Sequence, residues 1–191
     1  VKNTAGINVG ILDDYQKQKI NGFNFQLNPF SALYFLIPKA IPIPTEEKVT
    51  VVANGLHIST GGMVDGNQLN GVGISAYHHA MESNGFTVNF FNNTSGKLNG
   101  LHVSGMANNS VKGNGITISI FGNYSNKYNG VQISGENFSE SLNGVQIGLV
   151  NKTTNSKGLQ IGLVNKSKKH KGVQIGFWNK NGKRTLPILN F

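Results

Sequence analysis

Eight carboxylates and five histidines are the side chains in this chain that could run acid–base or metal chemistry. Four of the carboxylates form adjacent pairs, Asp13-Asp14 and Glu46-Glu47; Asp65, Glu82, Glu136 and Glu140 stand alone. A glycosidase needs two carboxylates about 5–10 Å apart across a cleft. Neighbours on an extended chain point to opposite sides, so neither pair meets that demand. His57 and His102 fall at one phase of a repeat and His78-His79 at another, and stacked histidines can ligate a metal. No carboxylate column accompanies them, and they are expected to be surface residues with no metal. Cysteine is absent, which excludes thiol catalysis, disulfides and Cys-ligated zinc. No Ser-His-Asp ordering, phosphate-binding Gly loop or HExxH sequence is present. The expectation is a protein that is not an enzyme and takes no cofactor.

The bases are distributed differently. All acids lie before residue 141, while Lys152, Lys157, Lys166, Lys168, Lys169, Lys171, Lys180, Lys183 and Arg184 follow it. One end of the molecule then carries the whole formal excess of +9. Like charges brought close together favour an anionic partner, such as a glycan or lipid phosphate or an acidic protein. Nucleic acid is not expected, because Trp178 is the sole Trp and no aromatic platform alternates with the lysines. A second candidate contact lies in SALYFLIPKAIPIP, where Leu33, Tyr34, Phe35, Leu36, Ile37, Ile41 and Ile43 would form an apolar lip.

The elements that position these residues are repeats. GVQIGLVN, GLQIGLVN and GVQIGFWN begin at Gly144, Gly158 and Gly172, 14 residues apart. The same frame recurs at Gly130, Gly115, Gly100, Gly85, Gly71, Gly55, Gly22 and Gly6, making eleven copies of 14–16 residues. The interval from Gly22 to Gly55 is the exception at 33, about two steps, and is expected to hold an irregular rung. In each copy the first and third residues after Gly are apolar, as in Val145 and Ile147, and those between and after are polar or small, as in Gln146 and Gly148. This period-two alternation predicts half-buried strands, with the isoleucine column expected to face the core. Asn precedes most of these glycines and also closes the octets, as at Asn151, Asn165 and Asn179. Both residues tolerate left-handed backbone angles, so Asn-Gly marks a corner. Asn-x-Ser/Thr recurs at Asn93, Asn108, Asn123, Asn137, Asn151 and Asn165, and its fixed phase argues for a structural role over glycosylation.

The predicted class is an all-β repeat, a single domain over residues 1–191, with an irregular apolar insertion at about 29–54 and a cap at about 180–191. Identical columns favour a parallel β-solenoid, where like stacks on like. An antiparallel meander or barrel is the alternative. A membrane-spanning strand needs about 9–11 residues, more than the two or three apolar positions of each copy provide. No apolar run is long enough for a transmembrane helix.

Residues 130–191, through GVQIGLVN, GLQIGLVN and GVQIGFWNKNGKRTLPILNF, resemble bacterial surface-repeat proteins of the Bacteroidota type, which carry tandem Gly-x-Gln-Ile-Gly-Leu-x-Asn copies. The resemblance implies an exported cell-envelope protein, outer-membrane associated or at the cell surface, and implies no reaction. The function expected is a structural or docking subunit of a surface or outer-membrane assembly. Alternatives are a module binding anionic glycan or lipid through the basic end, and an outer-membrane barrel.

Overall fold

A computed structural model describes residues 2–11, 17–28, 49, 51–61 and 67–191. Among these the chain is a β-solenoid of about ten turns. Its strands are β1 (Lys2–Ile11), β2 (Gln18–Leu27), β3 (Val51–Ser59), β4 (Asn67–Ser75), β5 (His78–Asn89), β6 (Asn92–Ser104), β7 (Ala107–Ser119), β8 (Gly122–Ile161), β9 (Val164–Asn181) and β10 (Arg184–Asn190). They pair in sequence order, and β1 to β9 pair in parallel. Parallel pairing rules out the antiparallel meander and the barrel.

Register is set by glycine. Gly6 faces Gly22, Gly22 faces Gly55, and the pairing continues coil by coil to Gly130; Gly158 likewise faces Gly172. At Gly144 the backbone turns with φ 145°, and a Cβ would collide with the carbonyl oxygen of Gly130. No other residue type fits that corner, which explains why the glycine recurs in every copy.

The structure reverses the expected sense of the alternation. Gln146 is fully buried, at 0 % exposure, and its apolar neighbour Ile147 is 37 % exposed. The inward column is Asn8, Asn24, His57, Gly73, Thr87, His102, Thr117, Gln132, Gln146, Gln160 and Gln174. Period two separates two faces of a strand but does not say which one is inside. A stacked amide can donate to one coil and accept from the next, so a closed interior can be polar and still satisfied. Gln146 Nε2 donates to Gln132 Oε1 at 2.9 Å, Gln160 to Gln146 at 2.8 Å and Gln174 to Gln160 at 2.7 Å. A second interior row runs Asn108, Asn123, Asn137, Asn151, Asn165 and Asn179, with amide–amide distances of 2.7–3.0 Å. Each of the first five amides also donates to a backbone carbonyl, such as Ile161 O from Asn151. The Asn-x-Ser/Thr phase is therefore an interior row, closed to modifying enzymes. Apolar interior residues are a minority, Ile20, Val51, Ala53 and Leu69 forming one cluster, with Leu98, Tyr128 and Leu142 further along.

A further expectation changes: β2 pairs directly with β3, so no irregular rung is stacked between these two strands. The lip residues Leu33, Tyr34, Phe35, Leu36, Ile37, Ile41 and Ile43 lie outside the described residues. At the expected cap the pairing changes sense: β10 turns back antiparallel onto β9. Its Asn190 is buried and donates to Gln174 Oε1 at 3.1 Å, which ends the glutamine row.

Candidate docking surface

With the amides inside, the apolar columns form an outward side of the coil. The first and third residues after each Gly lie half-buried to exposed along the solenoid, from Val72 and Ile74 to Val173 and Ile175. A further position joins them, at Phe90 and Ile120 in earlier coils and in each of the last three, where Leu149, Leu163 and Phe177 are 60, 56 and 83 % exposed and Trp178 beside Phe177 is 55 % exposed. Side-chain rows at this density leave a shallow groove of about 600 Å³, lined by Ile133, Ile147, Ile161, Ile175, Leu149 and Leu163. Gly148, Gly162 and Gly176 form its floor, and they are needed inside as well. A Cβ on Gly162 would collide with Gly148 O and come within 2.7 Å of Asn151 Nδ2. Contiguous exposed apolar surface on a folded chain marks a contact with something else.

The basic residues border this side. Lys157 and Lys171 face each other across β8 and β9, each directly before the Gly that opens an apolar segment. Lys152 and Lys166 face each other one residue beyond the Asn that closes it, and Lys180 occupies the equivalent place in the next coil. Lys157, Lys166, Lys168, Lys169, Lys171, Lys180, Lys183 and Arg184 are exposed. Two of the nine predicted contacts are already engaged. Lys152 Nζ lies 2.6 Å from Glu136 Oε1, and that hydrogen bond holds the Glu136 carboxyl below its usual range against the opposing effect of burial. The Arg184 guanidinium sits 4.8 Å from the Phe191 ring centre, a cation–π contact that ties β10 to the chain end. Lys169 and Lys171, with Lys157, line a second open groove of about 420 Å³ with Asn143 and Asn155.

The other candidates are placed elsewhere. His57 and His102 are buried at 1 and 0 % exposure, and His78 at 1 %, not at the surface as expected. His57 and His102 occupy the inward phase that carries glutamine in later coils, and His78 faces Asn93, at the phase of the interior asparagine row. His57 Nδ1 accepts from Asn24 Nδ2 at 2.9 Å. His78 and His102 are joined by a chain of interior contacts through Ser83, Ser95, Asn93 and Thr87, each step 2.7–3.0 Å. Burial lowers His57 and His102 to about 4 and pushes His78 well below its ordinary value, with the neighbouring histidines adding to the effect. At neutral pH the rings are uncharged elements of a polar core. No group of three or more His, Asp or Glu among the described residues is arranged to hold a metal. Asp13-Asp14 and Glu46-Glu47 lie outside the described residues.

Sequence reasoning missed Leu149, Leu163, Phe177 and Trp178 as surface features. It read the neighbouring isoleucine column as core and made nothing of these positions, and the clue it passed over was the inward amides of each copy. Asn and Gln repeated at one phase, with no charge at that phase in any copy, is the pattern of an internal row.

No known family, curated protein or solved structure matches the chain.

Proposed function

We propose that this protein is a rigid, non-enzymatic docking subunit of a bacterial cell envelope, held to a surface or outer-membrane assembly through the outward apolar side of its solenoid. The observation that carries this reading is the inversion itself. Ile, Val, Leu and Phe side chains line the outside in copy after copy, while amides fill the inside. Leaving apolar area in water forgoes roughly 25 cal/mol for each Å² that a partner could cover. A stack stapled along its axis by in-register hydrogen bonds presents that area on a stiff frame. The envelope location is supported by the resemblance of the C-terminal repeats to surface-repeat proteins.

Fractionation of source cells tests the reading. The wild-type chain is expected with the envelope, and a Leu149→Asp/Leu163→Asp variant with the soluble fraction. If the two distribute alike, the apolar side is not what docks the protein.

A further inference from the structure

The geometry points to an anionic lipid bilayer as the occupant of the apolar side, with the last coils lying flat on the leaflet and their lysines on its headgroups. This inference rests on the docking reading above and names its partner. The argument is charge placement around the apolar band. KGLQIGLVNK and KGVQIGFWNK each run lysine, outward apolar residues, then lysine, covering Lys157 to Lys166 and Lys171 to Lys180. The lysines therefore stand at both borders of the band and not within it. A surface that lies in a membrane interface has that arrangement, with apolar side chains among the acyl ends and cations at headgroup level. No acid follows Glu140, so nothing in these coils repels an anionic leaflet. Phe177 and Trp178 project at the band's C-terminal end, and aromatic residues favour the same interface.

Charge complementarity separates this partner from a second copy of the chain. Two such faces pressed together would bring their lysine borders into proximity, and adjacent coils already stack Lys157 on Lys171 and Lys152 on Lys166. The apolar side of the earlier coils continues the band but is bordered by Asn99, Asn114, Asn129 and Asn143 where Lys157 and Lys171 stand later. Attachment is thus strongest at the C-terminal coils.

The test uses the purified chain and vesicles. Trp178, the only Trp, reports directly on the proposed contact. With vesicles containing phosphatidylglycerol, the protein should float with the lipid, and Trp178 emission should shift to the blue and be quenched by lipids brominated near the headgroup. Each lysine at the leaflet is worth roughly fivefold in partition, so Lys157→Glu/Lys171→Glu should bind at least about tenfold more weakly and phosphatidylcholine vesicles should bind poorly. Leu163→Asp/Phe177→Asp should abolish flotation; both residues are exposed, and circular dichroism checks that the variant folds. Unchanged Trp178 emission in the wild type, or equal partition into neutral vesicles, overturns the lipid assignment. A dimer by light scattering that is lost in Leu163→Asp/Phe177→Asp, without vesicle binding, overturns it in favour of a second copy and leaves docking intact. Loss of both vesicle binding and the fractionation difference removes the docking reading too.

Discussion

The coils before Gly115 and those after Gly130 share one backbone and differ in what fills it. In the later coils the inward column is Gln132, Gln146, Gln160 and Gln174, one residue type four times over, each of the last three amides donating to the one before. In the earlier coils the same column reads His57, Gly73, Thr87 and His102. There the bonds between coils are separate pairs, His57 with Asn24 and Thr87 with His102, and Leu69 fills the space beside Gly73. Among the described residues, His57 Nε2, His78 Nδ1 and His102 Nε2 have no hydrogen-bond partner. An amide both donates and accepts along the coil axis, so a homotypic row can be extended coil by coil. A neutral histidine also has one donor and one acceptor, but His57 Nε2 and His102 Nε2 find no partner among the described residues and Gly73 offers no side chain, so the mixed row is interrupted and solved separately at each level. The regular interior coincides with the regular exterior, where the lysine-bordered apolar band is found.

The largest expected effect probes what the two halves share. Gly144→Ala forces a side chain into a left-handed corner and against Gly130 O, and should cost about 4 kcal/mol or more. Gly6 has φ 99°, but no atom lies within 4 Å of a Cβ built there. Gly6→Ala should cost only the backbone term, about 1–2 kcal/mol. Thermal melts of the two variants would show whether the stacked corner or the dihedral dominates; equal losses would mean the glycine contact has no energetic weight.

Next comes the homotypic row. Gln146→Leu leaves Gln160 Nε2 without its acceptor and takes a donor from Gln132 Oε1, which keeps only Ser139 Oγ at 2.8 Å. A buried unsatisfied group costs about 1–3 kcal/mol, so a loss near 3 kcal/mol in chemical denaturation is expected. A stabilised variant would show that the row is a cost of the fold and not a support.

How much of this was legible follows from which symmetries the sequence breaks. The Gly phase fixes coil length and register, because only glycine fits the corner, and the parallel stack follows from columns that repeat residue for residue. The inside and outside of each strand were not legible from period two, since Val145, Ile147 and Leu149 alternate with Gln146 and Gly148 equally well in either sense. Nor was the reversal at the C-terminal end. Asn181-Gly182, with φ 62° at Gly182, turns the chain back, whereas Asn143-Gly144, with φ 145°, continues the coil. The same dipeptide serves both ends, and only the surrounding hydrogen bonds distinguish them. The lysines were visible by number, but their place on both borders of an outward apolar band required knowing which side faces out.

Acid should separate the halves by a smaller amount. His57 and His102 titrate at about 4 in the folded chain and near 6.5 when unfolded, so the unfolded chain binds more protons between those values. Their contribution is intact above pH 6.5 and is lost as pH falls towards 4. At pH 5 the loss relative to pH 8 is about 2 kcal/mol for each ring. Protonating His57 also turns its Nδ1 into a donor facing the Asn24 amide. Hydrogen exchange at the two pH values should show the coils around His57 and His102 loosening while that around Gln146 holds, with His170, also lowered by burial, bringing a part of the effect to the last coils. His57→Asn/His102→Thr should reduce the pH dependence and leave the shares of His78 and His170, whose values burial also lowers; if it changes nothing, His57 and His102 are not its source.

The smallest stability effect is the most direct probe of the inversion. A charge in a closed core costs several kcal/mol when it has no partner. Ile147 instead stands on the outward side, 37 % exposed, over the buried Gln and Asn rows. Ile147→Asp removes some half-buried apolar area and can hydrate its carboxylate, so it should cost about 1 kcal/mol or less. The same carboxylate sits in the apolar band one coil before the Lys157–Lys166 segment, where it opposes both apolar contact and an anionic leaflet. Leu69, fully buried, gives the contrast: Leu69→Ala should cost about 3 kcal/mol with no effect on vesicle partition where the variant is folded. A small melting shift with lost flotation for Ile147→Asp, set against a large shift with retained flotation for Leu69→Ala, would assign stability to the inside of the coil and docking to the outside. A collapse of the fold in Ile147→Asp would instead place the isoleucine column in the core and undo the outward surface altogether.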